Sequence, residues 1–107
     1  MGKAKDLKLK KIVQALKQEF NPTRMFLFGS RANGTYRPDS DYDFVLVVPG
    51  NRKNRIHNMI RAEEVLEKLG VSADVFVYSQ REFDNWKDDF SSIPETAVNT
   101  GQEIDLG

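Results

Sequence analysis

The sequence contains no cysteine, which excludes disulfides, thiolate-bound zinc and a cysteine nucleophile, and fits a reducing cytoplasm. It has no apolar run long enough to span a membrane, and its charged N-terminus lacks the apolar core of a signal peptide. Met1-Gly2 could open a myristoylation signal, but Asp6 stands where that signal needs Ser or Thr. Net charge is absent as well: 16 basic residues balance 16 acidic ones. Bulk attraction to nucleic acid is therefore not indicated, and direct nucleic-acid binding is not expected. The charge is uneven, with Lys3, Lys5, Lys8, Lys10, Lys11 and Lys17 near the start and acidic residues dominating from Glu82 onward. A solvated helix face with a soluble tail gives such a pattern, and so does a docking surface. The 107 residues, 39% of them hydrophobic, suit one compact domain over 1–107 with a modest core. No internal repeat, low-complexity tract or interdomain linker interrupts them.

Local patterns alternate between helical and extended signals. Leu7, Ile12, Val13, Leu16 and Phe20 recur at helical spacing with lysines between them, and Asn21-Pro22 ends that helix. Met25 to Phe28 reads as a short buried strand closed by Gly29. Arg31 to Ser40 holds Asn33-Gly34 and Pro38 and reads as loop, with room for one helical turn after Ser30. Phe44 to Val48 is a second strand, stopped by Pro49-Gly50, and these two strands can pair antiparallel. After a polar loop over Asn51 to Asn54, a second helix runs from Ile56 to Leu69, with Gly70 as its stop. Ala73 to Tyr78 is a third strand. Ser79 and Glu82 have capping-box spacing, so a short helix carrying Phe83, Trp86 and Phe90 is expected to follow. Ser92 and Glu95 repeat the signal for a last helix ending at Gly101, and Glu103 to Leu106 can add an edge strand. The order helix, strand, strand, helix, strand, helix, helix predicts an α/β (α+β) fold, a small mixed sheet with helices packed on it.

One stretch, FLFGSRANGTYRPDSDYDFVLVV, carries the chemistry. Gly29-Ser30 ends one apolar run, ten residues intervene, and Asp41 and Asp43 open the next. A glycine lets the backbone approach a phosphate closely, and a serine hydroxyl can bond its oxygens. Aspartates at i and i+2 on a strand face the same way, so both can hold a divalent ion. Asp74 lies near the start of the third strand, where a parallel or mixed neighbour would bring it beside the pair. Alone it would read equally well as a strand cap or a lysine partner. Three carboxylates at one sheet end repel unless a cation neutralises them, and oxygen donors of this kind suit magnesium. Arg37 can reach a phosphate or bond the loop carbonyls near Pro38; Ser40 can cap the Asp43 region. Tyr42 points away from the aspartate pair and reads as packing, and Tyr36 as an exposed loop aromatic. His57, the sole histidine, reads as a helix-surface residue; Phe83 and Trp86 read as packing.

The Gly-Ser, spacer, Asp-x-Asp arrangement resembles the signature of the polymerase-β-like nucleotidyltransferase superfamily. Gly29-Ser30-Arg31-Ala32-Asn33-Gly34 and Arg37-Pro38-Asp39-Ser40-Asp41-Tyr42-Asp43 are similar to the wording of its minimal nucleotidyltransferases from bacteria and archaea. The resemblance extends to the leading helix, to Ala73-Asp74-Val75 and to a final helix at Thr96-Ala97. It implies that Asp41, Asp43 and Asp74 hold two magnesium ions, with Asp74 also orienting or deprotonating an acceptor hydroxyl. Gly29 and Ser30, assisted by Arg31, would hold the β- and γ-phosphates of a nucleoside triphosphate, ATP by family expectation. The hydroxyl would attack the α-phosphate and release pyrophosphate.

So short a chain offers little material for an acceptor pocket, so a partner is expected to supply it. Minimal nucleotidyltransferases are commonly paired with an all-helical HEPN-domain protein, and the resemblance implies an antitoxin that transfers AMP to a tyrosine of a HEPN ribonuclease toxin. The readings beside it are a non-catalytic antitoxin or regulatory subunit acting by contact, and a small-molecule nucleotidyltransferase, against which the lack of a second domain weighs.

Overall fold

Residues 7–35, 37, 41–49 and 55–107 are described in the computed structural model; Arg55 is described by its backbone alone. The chain runs α1 (Leu7–Phe20), β1 (Arg24–Phe28), α2 (Ser30–Asn33), β2 (Tyr42–Val48), α3 (Arg55–Leu69), β3 (Ala73–Ser79), α4 (Gln80–Trp86), α5 (Ile93–Thr100) and β4 (Gln102–Glu103). The strands form one mixed sheet in the order β3-β2-β1-β4. β1 pairs antiparallel with both β2 and β4, whereas β2 and β3 run parallel.

Strand side chains alternate between faces, and here both faces are covered. Phe44 and Leu46 of β2, with Met25 and Leu27 of β1, pack under Ile12, Leu16 and Phe20 of α1 and Ala62 and Leu66 of α3. Val45, Val47, Phe26 and Tyr78 face the other way, under Phe83 of α4 and Ala97 of α5. Two-sided burial is why β2 reads as a continuous apolar run. The mixed sheet with flanking helices is the fold class expected from the sequence.

The helix signals act as their chemistry predicts. Ser79 and Glu82 form a reciprocal capping box, the Ser79 hydroxyl accepting from Glu82 N at 3.1 Å and Glu82 Oε1 accepting from Ser79 N at 3.0 Å. Ser92 caps α5 by accepting from Glu95 N, and Gly70, with φ at 67°, follows α3. Several boundaries differ. Phe90 is not on the α4 helix, which ends at Trp86; its ring is 91% exposed, and Trp86 is also exposed, so of the three aromatics only Phe83 enters the core. The edge strand is two residues long rather than Glu103 to Leu106. It is held by Arg24, which donates to both Glu103 oxygens at 2.8 Å, and the chain then leaves the sheet beside α1, where Lys17 donates to Leu106 O. The hydrogen bonding from Arg24 pulls the Glu103 carboxyl below its ordinary range. β2 starts at Tyr42, two residues before Phe44, because Phe28 and Asp43 are still in register. Lys3, Lys5, Tyr36, Pro38, Asp39, Ser40 and the 51–54 loop lie outside the described residues.

Gly101 shows how tightly α5 meets the sheet. A Cβ there would lie 2.6 Å from both Ala97 O and Leu27 O, backbone atoms that cannot rotate away. Gly101→Ala is expected to cost about 1–3 kcal/mol through this overpacking, read as a lower urea midpoint with an unchanged slope.

Candidate active site

The site begins where β1 stops. Gly29 has φ 76° and ψ −157°, a conformation that L side chains rarely adopt. Space demands glycine as well, since a Cβ would lie 2.5 Å from Asp43 Oδ2. Backbone at residue 29 and carboxylate at residue 43 therefore share one small volume. Ser30 starts the single turn of α2, closed by Ala32 N and Asn33 N donating to Gly29 O and ended by Gly34 in the left-handed region. The buried Ala32 side chain seats this turn against the core, and Gln102 Nε2 donates to Ala32 O at 2.7 Å. Asn33 Oδ1 accepts from Thr35 N at 3.1 Å, tying off the turn.

Register brings the carboxylates together. Phe28 stands opposite Asp43 across the antiparallel pair, and Asp43 stands opposite Asp74 across the parallel one. Both aspartates share the face that α4 and α5 cover further along the sheet, by alternation from Val45 and Phe76. Asp41 precedes the strand, two residues before Asp43. Asp41 and Asp74 are exposed, whereas Asp43 is half-buried between β1 and β3. Burial pushes the Asp43 carboxyl above its ordinary range, and the charge of Asp74, a hydrogen bond with Asp74 and the charge of Asp41 add to the rise. Beneath the pair, Phe28 and Phe76 meet at 6.1 Å between ring centroids and supply the apolar floor. No sequence motif marks that floor, but counting two residues along the strand from Asp74 finds Phe76.

The other residues singled out in the sequence stand on α2, on β2, in the segment before β2 and on α3. Arg31 places its guanidinium 4.3 Å from the centroid of the Tyr42 ring. Tyr42 is buried, stacked on Phe44 and part of the α1/α3 core, so it faces away from Asp43 as expected. Arg37 is exposed in the loop between α2 and β2. His57 is exposed near the start of α3, which follows the other end of β2.

This mixed sheet, with Gly-Ser at the end of one strand and paired carboxylates at the start of the next, defines a phosphate-handling α/β domain. The family model for the nucleotidyltransferase domain matches residues 9–102. The chain belongs to that family. It is similar to a solved protein from Sulfolobus solfataricus, described as "a putative nucleotidyltransferase", with 31% identity over 77% of this chain and 74% of that one, at a TM-score of 0.55. No curated protein matches.

The donor set fits a divalent cation that completes its coordination elsewhere. Among the described residues no three His, Cys, Asp or Glu side chains gather closely enough to enclose an ion unaided. The Asp43–Asp74 pair nevertheless carries the hard oxygen donors that magnesium takes together with substrate phosphates. With its proton held more tightly in the folded chain than in the unfolded one, Asp43 favours folding most below its ordinary range, and that increment is lost as pH rises through its folded value. At neutral pH, Asp43→Asn is therefore expected to raise the melting temperature of metal-free protein by a few degrees. It should also abolish the stabilisation that wild type gains from magnesium with a nucleoside triphosphate, both read by scanning calorimetry.

Proposed function

We propose that this nucleotidyltransferase transfers AMP from ATP to a protein hydroxyl, a tyrosine of a HEPN-domain toxin partner, and so acts as its antitoxin. One observation carries the reading: the Gly29 turn, Asp43 and Asp74 are brought together at one open end of the sheet. Two surface cavities lined by described residues lie to the side of it. One of 660 Å³ is bounded by α1 and the C-terminal tail, and another of 660 Å³ by α3 and the start of β3. Neither includes Gly29, Ser30, Asp41 or Asp43, although the second reaches Asp74. An acceptor that arrives with its own enclosing surface, as a folded protein does, suits such an arrangement.

In this reading Gly29 and Ser30 hold the β- and γ-phosphates, the glycine by allowing close backbone approach and the serine through its hydroxyl. Asp41, Asp43 and Asp74 would hold magnesium, which when bound neutralises charge on the phosphates and lowers the acceptor's pKa. Asp74, exposed on β3, orients the acceptor hydroxyl and takes its proton. The acceptor oxygen bonds to the α-phosphorus, the bond from that phosphorus to the bridging oxygen breaks, and pyrophosphate departs. The raised carboxyl of Asp43 shows that this cluster resists carrying its full charge without a counterion. A divalent cation arriving with the triphosphate would offset that charge.

Purified protein, magnesium, each nucleoside triphosphate in turn and the protein encoded next to it should give a nucleotide-monophosphate mass increase on that partner by intact-mass spectrometry. The Asp41→Asn/Asp43→Asn variant should lose the increase by at least a thousandfold in rate while still forming the complex. A neutralised partner without any mass increase would replace this reading with neutralisation by contact.

A further inference from the structure

The alternation of side chains along β2 gives Tyr42 a place that the catalytic reading leaves unused. Asp41 and Asp43 flank it in sequence, yet its ring lies on the opposite face, 3% exposed. One contact is Phe44, with ring centroids 6.2 Å apart and planes 14° from parallel. Another is the Arg31 guanidinium, whose carbon sits 4.3 Å from the ring centroid. Arg31 follows Ser30 directly in the single turn of α2. A turn that short has almost no stability of its own, so its position depends on what it is fastened to. Among the described residues its fastenings include the buried Ala32 side chain, the Gln102 amide on Ala32 O, and the Arg31–Tyr42 stack. The last of these involves the residue that directly follows Ser30.

We propose that Tyr42 is a positioning residue: its ring holds the Arg31 guanidinium, and through it fixes the Gly29-Ser30 turn in the orientation that receives the β- and γ-phosphates. The inference rests on the reading of Gly29 and Ser30 as triphosphate holders. A guanidinium over the face of a buried, π-stacked ring is attracted by the ring quadrupole, and the contact strengthens where water is excluded. The phenol oxygen is not required for this attraction, whereas the electron-rich ring face is. Arg31 thus serves the triphosphate indirectly, by anchoring the turn, in place of the direct phosphate contact suggested by the sequence.

The test uses the intact chain and a probe that needs neither a base nor an acceptor: magnesium tripolyphosphate, titrated calorimetrically beside magnesium phosphate, with the melting temperature recorded for every variant. Tyr42→Phe should bind tripolyphosphate as wild type does. Pentafluorophenylalanine at position 42, with nearly the same shape but a reversed ring quadrupole, should weaken binding about tenfold. Arg31→Gln should weaken it by a similar factor, and combining the two should cost no more than either alone. Monophosphate binding should not change. If the fluorinated variant binds as wild type does while Arg31→Gln loses affinity, Arg31 touches phosphate itself and the role of Tyr42 is overturned. A lowered melting temperature with unchanged tripolyphosphate affinity overturns it too, leaving a packing role. Failure of folded wild type to bind tripolyphosphate would overturn the assignment of Gly29 and Ser30, and this inference with it.

Discussion

The contact between the Gly29 backbone and the Asp43 carboxylate is the constraint that the site's other features serve. It joins the turn at the end of β1 to a carboxylate of β2, and it tolerates no side chain between them. Meeting it takes a positive φ at the end of β1, an antiparallel register that sets Phe28 opposite Asp43, and a strand on the far side to bring Asp74 alongside. Each requirement is satisfied by a different part of the chain. Antiparallel pairing of β1 and β2 needs only the intervening loop, while the parallel β2–β3 pair needs the α3 crossover. The sheet is mixed because β2 has an antiparallel neighbour on one side and a parallel one on the other.

The cost of this arrangement is local and electrostatic. Half-burying one carboxylate beside another, over an apolar floor of Phe28 and Phe76, is unfavourable in isolation. The rest of the domain offsets it through two-sided burial: β2 puts Phe44 and Leu46 into one core and Val45 and Val47 into the other. The unfavourable cluster stands at the end of the most thoroughly buried strand, where the scaffold is least able to yield.

Much of this was legible in the sequence, for identifiable reasons. The apolar stripe of α1, the Ser79–Glu82 and Ser92–Glu95 caps, and the glycine stops depend on neighbours within one or two turns, so spacing revealed them. Gly29, Asp41, Asp43 and Asp74 stood out because strand ends and period-two spacing set their directions. What depended on tertiary register was harder to read. Phe90 fits a helical spacing with Phe83 and Trp86, but α4 stops at Trp86 and the following turns turn its ring out to solvent. The apolar Ile104 and Leu106 suggested strand, yet the strand pairs only Gln102 and Glu103 in register with β1, and after Ile104 N donates to Met25 O the chain runs beside α1. The stack of Arg31 on Tyr42 joins residues separated by a loop, and no local pattern encodes it.

The two faces of β2 differ in character at the end that carries Asp43. Asp43 is half-buried on one side, beside Asp74, while Tyr42 reaches into the core on the other and contacts the turn that carries Ser30. Because side chains alternate with a period of two, a slip of one residue would exchange these roles, burying carboxylates in the α1/α3 core and exposing Tyr42. That alternative is prohibitively unfavourable, so the chemistry and the packing specify the same register. The apolar residues Phe44 to Val48 are interchangeable in character and fix register only weakly through pattern, since both of their faces are covered. The Asp-Tyr-Asp segment supplies the asymmetry they lack: the polar residues that define the site also help define the strand pairing that assembles it.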